Sequence, residues 1–157
     1  DRKCLNYMPP LKVITEQLNL KIQKEVNNCV DKELAKKGTL TGYEIKTGAL
    51  TTNTEAAGSG LLITANYDVE IKKGEETTKL GKVNRVLDVP LKELYDVSYD
   101  IINSEARYGF FEQLFYMLGK KGKYLINVDK PFPHKVYRVS KDGNPNELWF
   151  AVEGEPN

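Results

Sequence analysis

The chain has 157 residues, 40% of them hydrophobic and 29% charged, with a formal net charge of +1 and a pI near 7.8. Those figures describe one ordinary folded domain over 1–157, long enough for a real core, and they exclude the strongly basic footprint of a nucleic-acid-coating protein. No apolar run approaches the ~20 residues that span a bilayer, and there is no repeat, low-complexity tract or long linker.

Residues 1–10 read as a tail. It opens on Asp1 rather than Met, which fits a removed leader or a trimmed chain. Its Cys4 and the later Cys29 are the only cysteines, and two in a small chain fit one disulfide in an exported protein. A helix is predicted over 11–38. Leu11, Ile14, Leu18, Ile22, Val26 and Cys29 recur at spacings of three and four, while Lys12, Glu16, Lys24 and Lys32 lie off that stripe. Lys36 and Lys37 make a basic last turn, and Gly38 stops it. A straight helix from Pro10 carries Cys29 ~28 Å away, and the six steps back to Cys4 reach only ~20 Å. A Cys4–Cys29 bridge therefore needs a later helix start, or a break at Asn27-Asn28.

Residues 40–89 read as a three-strand meander. "TGYEIKTGALTT" is a weaker strand broken at Gly48, and "NTEAAGSG" is a loop. "LLITANYDVEIK" alternates over eleven residues, with Leu61, Ile63, Ala65, Tyr67, Val69 and Ile71 on one face. "KKGEE" turns it into a third strand, from about Thr77 to Val89, with Val83, Leu87 and Val89 inward.

Residues 90–118 read as helical. Pro90 suits a first helical position, and Leu91, Leu94 and Tyr95 begin a stripe. "DVSYDII" also alternates, so residues 96–103 fit a short strand equally. Ser104 is placed as the cap of a further helix whose Phe111, Leu114, Phe115 and Leu118 share a face beside Phe110, with Gly119 as its stop. Three short strands follow over 123–153: "KYLINV", "HKVYRV" and "ELWFAV". A proline-rich bend, Lys130-Pro131-Phe132-Pro133, and the turn "SKDGNPN" separate them. The fold class is α+β: an N-terminal helix and a second helical segment packed on one face of an antiparallel, roughly six-stranded sheet.

Charge points to a surface. Gly119–Lys141 holds seven basic residues and one acid, Asp129, whereas Thr39–Leu118 holds eight basic and twelve acidic residues. Lys120, Lys121, Lys123, Tyr124, Phe132, His134, Lys135, Tyr137 and Arg138 are the candidate contact residues. A protein is the favoured partner, and nucleic acid or lipid is disfavoured. The alternative is a solvated basic edge, neutralised by its neighbours, that resists aggregation. His134 is the only histidine and has no neighbouring nucleophile, so it reads as a strand-end residue. No metal site or cofactor is expected, because the Cys and His spacing matches no zinc pattern and "SKDGNPNE" is not an EF-hand loop. The "GSG" stretch precedes a strand instead of opening a helix, so no phosphate loop is read there. Glu105 and Glu112, seven residues apart on one helical face and ~10 Å apart along its axis, read as solvated carboxylates rather than an acid–base pair.

The expected function is a non-enzymatic exported or cell-envelope binding protein, periplasmic or extracellular: an inhibitor, an immunity protein or a lipoprotein-type module. A cytoplasmic setting is the alternative compartment. One rival function is a small-ligand binder or enzyme with a pocket between helix and sheet, lined by Tyr43, Tyr67 and Tyr99. The other is a subunit of an envelope secretion or conjugation assembly.

Overall fold

A computed structural model of the chain describes residues 6–37, 43–58 and 60–154, with side chains to residue 33 in the first helix. It is an α+β structure of three helices and six strands, with β2–β3, β4–β5 and β5–β6 paired antiparallel. The six strands form two sheets of three, ordered β1-β2-β3 and β4-β5-β6, in place of the single sheet expected. The chain divides into two compact units: one holds Lys12–Ala56 and Leu61–Leu87, the other Asp88 onward with the residues through Leu11 and the Ala57–Gly60 turn.

In the first unit α1 (Leu11–Lys37) runs without a break, and Leu11, Ile14, Leu18, Ile22 and Val26 are half-buried along it. Val30, not Cys29, continues the stripe. A polar row flanks the stripe. Thr15 is buried, and Asn19 donates to the Thr52 carbonyl while its own carbonyl oxygen accepts from the Thr52 and Thr54 hydroxyls. Those threonines and Leu50 form the buried face of β1 (Glu44–Ala57), so the helix meets this strand through a hydrogen-bonded seam.

β1 is continuous through Gly48 and through most of the expected loop. A Cβ at Gly48 would stand 3.3 Å from the Asp68 Cβ of β2 (Gly60–Lys73), so the glycine admits a close approach and does not break the strand. β2 and β3 (Glu76–Leu87) pair from Leu61↔Leu87 to Lys73↔Glu76, with a bulge between Asn66 and Val69. Tyr67 and Asp68 there oppose the single Gly81. The extra residue reverses the alternation: Leu61, Ile63 and Ala65 share one face, while Val69 and Ile71 fall on the other. The single apolar face expected for β2 is thus split. Every residue of β3 is exposed, including Val83 and Leu87, which were expected inward.

In the second unit α2 (Leu91–Tyr108) packs on β4 (Tyr124–Asp129), β5 (Lys135–Lys141) and β6 (Glu147–Val152). Leu94, Val97 and Ile101 from the helix meet Tyr124, Ile126, Tyr137 and Val139 from the sheet in one cluster. Residues 96–103 are helix, and Ser104 lies inside α2. The stop is Gly109, left-handed at φ 74°, whose N–H donates to the Glu105 carbonyl. The short α3 (Gln113–Gly119) follows along β4. Ser98 is fully buried and its hydroxyl has no hydrogen-bond partner. Ser98→Ala is therefore expected to raise the unfolding free energy by about 0.5–1 kcal/mol, read by urea denaturation.

Candidate functional site

β5 organises the candidate region. Its alternation turns Lys135, Tyr137, Val139 and Lys141 toward the helices, so the apolar middle is flanked by a lysine at each end. α2 carries Glu93 and Glu105 on its sheet-facing side. Twelve helical residues span ~18 Å and six strand residues ~20 Å, so helix and strand present their charges at matching separations.

At the far end of β5, Lys141 Nζ lies 2.8 Å from Glu93 Oε1, Tyr124 donates its hydroxyl to Glu93 Oε2 at 2.9 Å, and Lys123 pairs with the same carboxylate. Bonding to Lys123 and Lys141, and then to Tyr124, holds the Glu93 carboxyl down to about 2. The unfolded value is ~4.3, so this contribution is complete above that pH and is lost as pH falls through the folded value. Glu93→Gln is expected to flatten the stability loss between pH ~4.5 and ~2, measured by urea unfolding across that range.

At the other end, Lys135 Nζ lies 2.7 and 2.9 Å from the two Glu105 oxygens and 3.0 Å from the Gly109 carbonyl. Tyr137 donates its hydroxyl to Glu105 Oε1, and burial followed by that bond raises the phenol pKa. Glu105 is only 5% exposed, which corrects its reading as a solvated carboxylate.

A half-open cleft of about 320 Å³ borders this cluster, walled by Phe110, Phe111, Leu114 and Val128, with Glu112 and Lys130 among its lining residues. Three of its polar groups, Glu105, Lys135 and Tyr137, are committed to one another. All three Lys135 donors have acceptors and the Glu105 carboxylate takes three bonds, so the cluster positions the helix end and leaves no lysine proton for a ligand.

The other candidate contact residues divide. Arg138 lies on the opposite sheet face, 3.2 Å from Asp129 Oδ2 and over the Trp149 ring. Lys120 sits over the Tyr116 ring, and Phe132 is 80% exposed. His134 Nδ1 accepts from the Gly154 N–H at 3.3 Å, tying the end of β6 to the proline bend. The fold thus spends Lys123, Lys135, Lys141 and Arg138 on internal pairs. Lys120, Lys121 and Lys130 stay exposed without an ion-pair partner among the described residues.

A second surface was misread from the sequence. Phe111, Tyr116 and Met117 face the core, whereas Phe110, Leu114, Phe115 and Leu118 are 56, 57, 72 and 65% exposed. The face expected over Phe111, Leu114, Phe115 and Leu118 is thus divided: Phe111, before the helix, turns to the core, and the other three turn outward on α3.

Cys29 is an exposed free thiol, and Cys4 lies outside the described residues. The unbroken α1 supplies neither the late start nor the break that a bridge between them requires. Tyr43 and Tyr99, expected to line one pocket, are exposed and belong to different units. Among the described residues no helix is long and apolar enough to cross a membrane, and no cluster of three metal-ligating side chains occurs. The chain matches no family model, and comparisons with curated proteins and with solved structures return no match.

Proposed function

We propose that this protein is a non-enzymatic binding module that works through a protein–protein surface on the α2–α3–β4–β6 unit, in an exported or cell-envelope setting. The observation that supports this reading best is the outward face of α3. Phe110 just before the helix, and Leu114, Phe115 and Leu118 on it, stand exposed within nine residues, and a clustered apolar surface of this kind marks an interaction site. Phe110 and Phe115 offer rigid aromatic anchors, and Lys120, Lys121 and Lys130 supply a cationic rim. The matching partner carries an apolar pocket edged by carboxylates. The exported setting stands without the support of a disulfide. A small-ligand or enzymatic reading has the cleft beside Glu105 in its favour, but Glu105, Lys135 and Tyr137 in that cleft are already engaged with one another.

The test is capture of a partner from native cells by the tagged chain, followed by affinity measurement with the purified pair. Leu114→Asp with Phe115→Asp is expected to weaken binding by about thirtyfold or more. Leu20→Asp, which alters an equally exposed leucine on α1, is expected to leave it unchanged. Equal loss from both variants, or from neither, contradicts the reading.

A further inference from the structure

We propose that β3 is a self-pairing edge: a second copy of this chain adds its own β3 antiparallel, across a two-fold axis at Val83, and joins two three-stranded sheets into one of six. The proposal is independent of the α3 surface.

β3 has β2 on one side only, and all twelve of its residues are exposed. A long edge strand offers a row of unpaired N–H and C=O groups and is normally blunted by proline, by a short length or by a covering element. Among the described residues β3 has neither proline nor short length; its blunting charges are Lys79, Lys82 and Arg85, so a self-pairing register must keep these cations apart. The strand also carries Leu80, Val83 and Val86 at 55, 66 and 57% exposure.

The strand selects its own register. A two-fold axis normal to the sheet keeps each face on its own side, so it pairs residues of equal parity. Centring on Lys82 sets Lys82 against itself and Lys79 against Arg85, and centring on Arg85 sets that cation against itself. Centring on Val83 sets Val83 against Val83, Leu80 against Val86, Lys82 against Asn84 and Gly81 against Arg85. No cation then directly opposes a cation; centring on Gly81 or Asn84 also meets that condition but sets Leu80 against Lys82 or Val83 against Arg85, so only the Val83 register also gives Leu80, Val83 and Val86 apolar partners.

The existing sheet already leads into that arrangement. Within one copy Ala65 pairs with Val83, Val69 with Leu80 and Leu62 with Val86. Across the axis these extend into unbroken apolar rows. One runs Ala65–Val83 to Val83–Ala65 of the second copy. On the other face, Val69–Leu80 runs on to Val86–Leu62 of the second copy. The β2 bulge makes the second row, because without it Asp68, not Val69, would oppose Leu80. Cross-strand apolar pairs of this kind are the unit of sheet stabilisation.

The experiment uses the full chain with Cys4→Ser and Cys29→Ser, so that introduced thiols react alone. Sedimentation at rising concentration is expected to show a monomer–dimer equilibrium. Val83→Cys sets two Cβ atoms about 5 Å apart at the axis, and a short thiol cross-linker is expected to yield a covalent dimer. Thr77→Cys, on the same exposed edge, sets its thiols ~40 Å apart and is expected to stay uncoupled. Val83→Lys opposes two lysines and is expected to abolish the dimer, with circular dichroism confirming that the chain remains folded. A protein that stays monomeric at millimolar concentration overturns the proposal. So does a dimer that survives Val83→Lys, or Val83→Cys coupling no faster than Thr77→Cys.

Discussion

Glu105→Ala is expected to lower the unfolding free energy of the α2–α3–β4–β6 unit by about 3–5 kcal/mol, the largest single-residue effect outside the apolar core. The carboxylate is almost fully buried and takes three hydrogen bonds, two from Lys135 and one from Tyr137. Removing it leaves a partly buried ammonium with one remaining acceptor, the Gly109 carbonyl, and a buried phenol with none. The cost lies chiefly in those stranded groups, since a buried ion pair adds little net stability over apolar packing. Replacing the whole cluster (Glu105→Leu, Lys135→Met and Tyr137→Phe together) is therefore expected to recover most of the loss. Urea unfolding of the single and triple variants measures both. A triple variant as unstable as the single one would show that the cluster attracts far more strongly than its desolvation costs.

Ile101→Ala is expected to cost about 2–5 kcal/mol in the same measurement. Ile101 is completely buried in the cluster that joins α2 to the sheet. Truncation removes apolar area and leaves a cavity that surrounding side chains fill only in part. The neighbours are Leu94, Val97, Tyr124, Ile126, Tyr137 and Val139, held between a helix and a sheet pinned at both ends by ion pairs. Those pins restrict collapse into the cavity, which places the expected cost in the upper half of the range. A loss below about 1 kcal/mol would mean that α2 slides on the sheet despite its charged ends.

Much of this arrangement was legible before the structure. The stripe of α1, the alternation of β4 and β5 and the helix-then-strands order follow from periodicity, which burial on one side imposes directly. What was missed depends on contacts between distant residues. The β2 bulge leaves no trace in alternation alone, because both registers of "LLITANYDVEIK" look regular; the close approach of Gly48 to Asp68 beside it shows only in the structure. The apolar face of α3 was expected to pack, but Phe111, Tyr116 and Met117 already fill the space above β4 and turn Leu114, Phe115 and Leu118 to solvent. The basic hairpin carried a sign that its parity made readable: Lys135 and Lys141 share the inner face with Tyr137 and Val139, and an inward lysine requires a carboxylate opposite. Glu93 and Glu105 are those carboxylates.

Position-resolved photo-crosslinking in native cells tests the central claim most directly. Benzoylphenylalanine is placed singly at Phe115 on α3, at Trp149 on the outer face of the second sheet, and at Leu20 on α1, three exposed positions. A discrete protein adduct at Phe115, weaker or absent at the other two, is the predicted result. Adducts at Trp149 or Leu20 with none at Phe115 would contradict the assignment of the α3 face as the contact surface.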